Sequence, residues 1–359
     1  MSYGDLVGRT WNENLLFSVL VELTYRCNLD CYFCYNDLAL QGEPLALADY
    51  ERLLADLAAL ETLHVILTGG EPLAHPHFFS IGSRARELGF VVRIKSNGHA
   101  LRGAIARRVK EEIDPFLLEV SLHGAVASTH DRQTRVAGSF ERLLGNLEEC
   151  LALGLRIKLN STLTRWNEAE MEGMYSIADR LGVPLQFDPE VTPRDDGDRE
   201  PLSITASSEA IRRLFELQRE RAGRRSPSSP PVLEAAREGD QVPALASPTK
   251  HCGAGSSALA IDPFGNVYPC VQWRRPVGNL HQSSIRDIWL RDGGGLGEVR
   301  AGTEAARAMV AGLGPDGRRM AFCPGLAVAE TGRPDALYDG ARERLALLRG
   351  ERRLLPVVD

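Results

Sequence analysis

The stretch Leu15-Leu16-Phe17-Ser18-Val19-Leu20-Val21-Glu22-Leu23, followed by Cys27-Asn28-Leu29-Asp30-Cys31-Tyr32-Phe33-Cys34, decides how the rest of the chain is read. The first half is a short apolar run of buried-strand type. The second half places three cysteines at C-x3-C-x2-C spacing on the loop leaving that strand. Iron–sulfur clusters are held by cysteine thiolates, usually four. A local trio therefore suits three irons of a [4Fe-4S] cluster and leaves the fourth iron for an outside ligand. Zinc would favour paired C-x2-C knuckles or Cys/His sets summing to four.

Outward from this loop, apolar runs alternate with helical periodicity. Leu53, Leu54, Leu57 and Leu60 share one face of a helix over 46–60, ahead of the run His64-Val65-Ile66-Leu67. Helices are expected over 78–88, 105–113, 139–153, 168–181 and 206–222, and strands over 91–95, 116–121, 156–163 and 184–188. Such alternation implies parallel strands joined by right-handed crossovers. Six units are too few for a closed eight-stranded barrel. The expected fold is α/β: a partial (β/α)6 TIM-like barrel over 1–222, with its site at the C-terminal strand ends. Residues 1–15 read as polar and too short to fold alone. Residues 223–250, rich in Pro, Ser and charge, read as a linker or lid. Residues 251–359 read as a small β-hairpin/helix domain. In it Ala258-Leu259-Ala260-Ile261 and Val267-Tyr268 flank a turn at Asp262-Pro263-Phe264-Gly265, a Gly-rich mobile segment precedes Cys323, and a C-terminal helix over 336–348 caps the unit.

Composition narrows the function. The net charge of −6 over 359 residues gives no basic footprint for nucleic acid. No apolar run approaches membrane-spanning length and no secretory signal precedes the first strand, so a cytoplasmic location is expected. Seven cysteines, odd in number and clustered, fit metal ligation in a reducing compartment.

The cysteine loop, Thr68-Gly69-Gly70-Glu71-Pro72 after the second strand and Ser96-Asn97-Gly98 after the third resemble, in order and spacing, the radical S-adenosylmethionine (radical SAM) superfamily. The resemblance covers roughly the first 220 residues. Cys252 and Cys270, in the pattern C-x12-G-x4-C, resemble the opening of the SPASM/twitch extension found on peptide-modifying members. Cys323 in Cys323-Pro324-Gly325 would supply a third thiolate. The further cysteine pairs of the full SPASM pattern are absent, which implies one auxiliary [4Fe-4S] cluster. Zinc or free thiols are the plainer alternative for these three. Its fourth ligand is open among His251, an acidic side chain and the substrate. Cys150, inside a helix, reads as a small buried apolar residue.

By the resemblance, S-adenosylmethionine binds the open iron and is cleaved to a 5′-deoxyadenosyl radical. Gly69, Gly70 and Glu71 then border its methionine end, Ser96, Asn97 and Ser121 its ribose, Arg135 its carboxylate, and Phe33 and Leu163 its adenine, with Asn160 near the mouth. Read alone, each is an ordinary turn, strand end or solvated charge. His123, Asp188 and Glu190 are candidates for contact with the substrate or for proton movement, and His123 reads equally as a packed structural histidine. The implied activity is modification of a ribosomally synthesised precursor peptide by cross-linking, epimerisation or oxidation. The peptide would be delivered by a separate recognition protein, with an external flavodoxin- or ferredoxin-type electron donor. A twitch-type dehydrogenase of a small alcohol or aminocyclitol is the alternative. Relatives that oxidise a sulfatase serine or cysteine carry an acid directly after the equivalent of Cys270. Here Val271 stands there, so that oxidation is not expected.

Overall fold

The computed structural model describes residues 3–37, 39–224, 252–291 and 293–350; His251 and most of the expected linker lie outside them. Helix α1 (Tyr3–Glu13) leads into β1 (Ser18–Glu22). Five βα units follow: α2 (Leu47–Ala59), β2 (His64–Thr68), α3 (Phe78–Glu87), β3 (Val91–Ser96), α4 (Gly103–Arg108), β4 (Leu117–Ser121), α5 (Ala127–Thr134), α6 (Ser139–Ala152), β5 (Ile157–Thr162), α7 (Met171–Leu181), β6 (Leu185–Asp188) and α8 (Ser208–Arg224). All neighbours from β1 to β6 pair in parallel, as the alternation required. Val19, Val21, Val65, Leu67, Val92, Ile94, Leu118, Val120 and Leu159 are buried against the helices, while their alternate neighbours face the concave side. Among the described residues no helix is long and apolar enough to cross a membrane.

Three features differ from the sequence reading. First, residues 3–13 are helical; a Cβ on Gly253 would lie 2.7 Å from Trp11 Nε1, so α1 packs against the start of the C-terminal unit. Second, that unit is not a separate sheet. Strand β7 (Ala258–Ile261) pairs in parallel with β1, and β8 (Asn266–Tyr268) and β9 (Gly278–Asn279) continue antiparallel, giving one nine-stranded sheet in the order β6-β5-β4-β3-β2-β1-β7-β8-β9. The apolar edge of β1 is thereby covered, which removes an open pairing edge. Third, the segment before Cys323 is helical: α9 (Ile285–Leu290), α10 (Gly294–Gly312) and α11 (Pro315–Arg319) precede α12 (Pro324–Thr331) and α13 (Asp339–Leu348). Glycines crowd only the first turn of α10. Beyond them Leu296, Val299, Thr303, Ala306 and Val310 recur every three to four residues and are buried.

Candidate active site

The first cysteine loop is fixed from two sides. Asp30 N–H and Tyr32 N–H donate to the carbonyls of Thr134 and Gln133 at 3.2 and 3.0 Å, so the end of α5 carries the loop. On the other side Gly70 N–H donates to Thr24 O at 2.6 Å and Glu71 N–H to Arg26 O at 2.9 Å. A Cβ on Gly69 would meet Thr24 O at 2.3 Å, and one on Gly70 would meet Arg26 O at 2.6 Å. Gly69 also sits at φ +144, open chiefly to glycine. The close approach that requires both glycines is therefore to the backbone entering the cysteine loop.

Glu71 is buried and ties two motifs together. Its carboxylate accepts from Ser96 Oγ (2.9 and 3.1 Å), Asn97 N–H (2.9 Å) and Leu73 N–H (3.2 Å). Burial lifts its carboxyl to about 7 against those hydrogen bonds. The Ser96 hydroxyl, itself buried, also accepts from Gly98 N–H at 3.0 Å, so it braces Glu71. Asn97 turns the other way: its Nδ2 donates to Asn28 Oδ1 at 2.8 Å and to Cys27 Sγ at 3.6 Å.

The structure brings most of the expected cofactor residues to this end of the sheet. Ser121 and Asn160 are register partners at the ends of β4 and β5, and both are half-buried. Arg135, in the left-handed region at φ 56, pairs with Asp30 at 3.3 Å and lies over the Tyr32 ring. Phe33 meets His123 edge-on, with ring centroids 4.6 Å apart. Leu163 is fully buried and its N–H donates to Asp188 O at 2.8 Å, which ties the end of β5 to the end of β6.

Of the candidates for chemistry, His123 is buried and its Nδ1 has no partner among the described residues. Burial and then His130 push its pKa down to about 3, so its ring is neutral at physiological pH. Glu190 is held at 2.9 Å by Arg344 of α13 and accepts from Tyr338 Oη at 3.4 Å. It anchors the C-terminal helix, an engagement its strand-end position gave no sign of. Asp188 is solvent-accessible at the end of β6, yet the protein around it raises its carboxyl.

The second trio converges on the barrel from the β7–β8 hairpin and α12. Cys252 Sγ accepts from Ala254 N–H at 3.5 Å and Cys270 Sγ from Gln272 N–H at 3.4 Å. A Cβ on Gly325 would lie 2.5 Å from Gln272 O, so the start of α12, with Cys323 at its N-cap, docks on the Cys270 loop. Cys323 feels the charges of both Cys270 and Cys252, just as Cys31 feels Cys34 and Cys27. Burial lifts Cys34 to about 11 and Cys323 to about 12, and also raises Cys27, Cys31 and Cys270. Thiols crowded in this way become thiolates only beside a strongly positive centre. Both donor sets are cysteine thiols, the ligand type that iron–sulfur clusters take, one thiolate to each iron. Cys150, by contrast, is buried in α6 with its thiol directed at Leu101 O.

What sequence reading missed is the link between the trios. Glu22, fully buried at the end of β1, accepts both guanidinium nitrogens of Arg274 (2.7 and 2.9 Å) and the hydroxyls of Tyr25 and Tyr35 at 3.2 Å each. Arg274 also reaches Asp195 at 2.9 Å. Burial works against its charge, but the Glu22 carboxylate outweighs it and holds the guanidinium ionised. One end of this pair stands five residues before Cys27, the other four after Cys270. A charged residue at the end of an apolar strand was the available signal.

Comparison with known proteins agrees with this geometry. Residues 21–178 match the radical SAM superfamily and residues 252–301 match the SPASM iron–sulfur cluster-binding domain. The AdoMet-dependent heme synthase of Methanosarcina barkeri is 27% identical over 281 residues, covering 75% of this chain and 80% of that protein. The mycofactocin maturase MftC of Mycobacterium ulcerans is 30% identical over 278 residues, covering 76% and 71%. Among solved structures, Streptococcus suis SuiB bound to S-adenosylmethionine superposes with a TM-score of 0.65 at 16% identity, covering 83% of this chain and 71% of SuiB. SuiB has also been solved with its precursor peptide SuiA. At that identity the likeness speaks for the fold. The cofactors that go with these domains are a SAM-binding [4Fe-4S] cluster, S-adenosylmethionine and an auxiliary iron–sulfur cluster. The chain belongs to the radical SAM superfamily and carries a SPASM-type auxiliary domain.

Proposed function

We propose that this enzyme modifies a ribosomally synthesised precursor peptide by hydrogen abstraction, forming a cross-link, an epimerised centre or an oxidised residue. The observation that carries the reading is the set of accessible polar strand ends, Ser121, Asn160 and Asp188, with Lys95 acting on both Asp188 and Cys270, in a chain 30% identical to a maturase. Cys27, Cys31 and Cys34 would hold the first cluster. Gly69 and Gly70, Asn97, Ser121, Arg135, Asn160, Phe33 and Leu163 would surround S-adenosylmethionine. Bound there and reduced by one electron, that cofactor supplies a 5′-deoxyadenosyl radical. Cys252, Cys270 and Cys323 would hold the auxiliary cluster.

The protein's own part is positioning and the exclusion of water. Glu71 fixes the β2 and β3 loops against each other, and α5 fixes the cysteine loop. Neutral His123 presents an unpartnered nitrogen behind Phe33, able to accept a hydrogen bond without adding charge. Arg344 and Tyr338 hold α13 beside Glu190, which walls the mouth next to Asp188. An external flavodoxin- or ferredoxin-type donor and a separate peptide-recognition protein complete the proposed cytoplasmic system.

Anaerobic incubation with S-adenosylmethionine, a reductant and a candidate precursor, followed by mass spectrometry, tests this. Loss of two hydrogens, or deuterium uptake without other change, supports it. A peptide left unchanged, with 5′-deoxyadenosine formed only when a tetrapyrrole is supplied and that tetrapyrrole losing hydrogen, would instead support a second reading, modification of a tetrapyrrole. That reading is favoured by the 27% identity to a heme synthase over four fifths of its length.

A further inference from the structure

Strand register places a set of charges on the concave face of the sheet. Lys95 is the register partner of Glu119, and Glu119 the partner of Lys158 on its other side. Arg93 lies on the same face of β3 one pleat lower and ion-pairs with Glu119. Glu119 is buried and also accepts from Asn160 Nδ2 at 3.0 Å. Burial opposes its charge, but Lys95 and Arg93 outweigh it, and its carboxyl stays below the usual range. Three cations thus surround one internal carboxylate.

The partners of those cations are unequal. Arg93 is committed to Glu119, and Lys158 donates to Gln186 on β6. Lys95 is exposed on the concave face and makes no hydrogen bond or ion pair among the described residues. The groups that feel its charge are Glu119, Lys158, Asp188 and Cys270. Its ammonium is therefore within electrostatic reach of both Asp188 at the end of β6 and Cys270 of the auxiliary trio. Strands β1 and β2 show Leu20 and Ile66 on this face instead. The mouth has an apolar half and a cationic half. Even with Asp188 counted beside Glu119, the three cations outnumber the carboxylates by one, and a surplus charge in a desolvated place is unfavourable until an anion meets it.

We infer that Lys95 and Lys158 form a subsite that binds a carboxylate of the substrate, namely an acidic side chain of the peptide next to the residue that is modified. The inference rests on the reading of this mouth as the substrate site. A propionate of a tetrapyrrole offers the same chemistry, so the test separates the two sources.

The probes are the amide-capped peptide Gly-Gly-Glu-Gly-Gly, its Gln counterpart and coproporphyrin III. Each is titrated anaerobically into the holoenzyme without reductant and followed by saturation-transfer NMR or, for the porphyrin, absorbance. The Glu peptide is expected to bind about tenfold more tightly than the Gln peptide, the 1.4 kcal/mol of one charge-assisted contact. That preference should vanish in Lys95→Gln and Lys158→Gln and persist in Lys95→Arg. Iron content and S-adenosylmethionine affinity should stay at the wild-type level in all three. If the peptides bind alike but coproporphyrin III weakens with Lys95→Gln, the carboxylate subsite stands and the peptide reading falls. If neither probe depends on Lys95 or Lys158, or if only S-adenosylmethionine affinity does, the subsite is refuted even where a precursor peptide is modified.

Discussion

Replacing Arg274 with Leu should separate the two halves of the enzyme energetically. Glu22 has no exposed side-chain surface, and the Arg274 side chain is 14% exposed. The pair is bidentate at 2.7 and 2.9 Å, the strong form of such contacts. Arg274→Leu removes the cation but leaves Glu22 buried with only the Tyr25 and Tyr35 hydroxyls, and leaves Asp195 without its partner. Breaking one side of a buried pair costs about 3–5 kcal/mol, because the remaining charge is uncompensated. In the double variant Glu22→Gln/Arg274→Leu that charge is gone, so more than half of the loss should return. Urea titration of anaerobically reconstituted protein, followed by far-UV circular dichroism and cluster absorbance, gives the four corners of the cycle. The single variant should also lose cluster absorbance before secondary structure, since the pair ties together the approaches to Cys27 and Cys270. A single-variant cost below about 1 kcal/mol, the range of exposed pairs, would refute the reasoning, as would simple additivity in the cycle.

Three further outcomes follow from the geometry. Gly69→Ala, with its Cβ directed at Thr24 O from 2.3 Å and φ at +144, should remove the first cluster and spare the second, which halves iron and sulfide per chain. Glu71→Ala releases Ser96 Oγ and Asn97 N–H and should weaken S-adenosylmethionine binding about 10- to 100-fold, as loss of supporting residues does elsewhere, with iron content retained. Burial pushes His64 and His130 down to about 4, while the unfolded chain takes up those protons near pH 6.5. The unfolded state therefore binds more protons between the two values, and stability must fall as pH drops through that window. The loss is about 2 kcal/mol per histidine from pH 6.5 to 5. Urea midpoints measured across that range should decline, and His64→Phe should flatten the decline.

The barrel was legible because its strands obey a simple rule: Val65, Leu67, Val92, Ile94, Leu118 and Val120 alternate toward the helices, and the motif loops follow the strands. That the first cysteine loop lies beside the Gly69-Gly70-Glu71 and Ser96-Asn97 loops was legible because each follows a neighbouring parallel strand. The C-terminal unit was less so. Nothing in Ala258-Leu259-Ala260-Ile261 says that it will pair with β1, since strand partners distant in sequence leave no local mark. The helix over 294–312 was hidden by glycines in its first turn. Glu22–Arg274 and the Lys95–Glu119–Lys158 row join residues that meet only through register. Glu71 was read as a cofactor neighbour, whereas its four acceptor contacts show it bracing Ser96 and Asn97 from within.

The central claim, that two cysteine trios each hold an iron–sulfur cube and that the first leaves an iron open to S-adenosylmethionine, is tested most directly by metal and sulfide analysis joined to low-temperature EPR. Anaerobically reconstituted protein should carry about eight irons and about eight sulfides, falling to about four of each when Cys27, Cys31 and Cys34 are replaced by Ala. The EPR signal of the reduced protein should shift on adding S-adenosylmethionine in the wild type and not in that variant. Zinc in place of iron at the first trio, or a signal that ignores S-adenosylmethionine, would contradict the account.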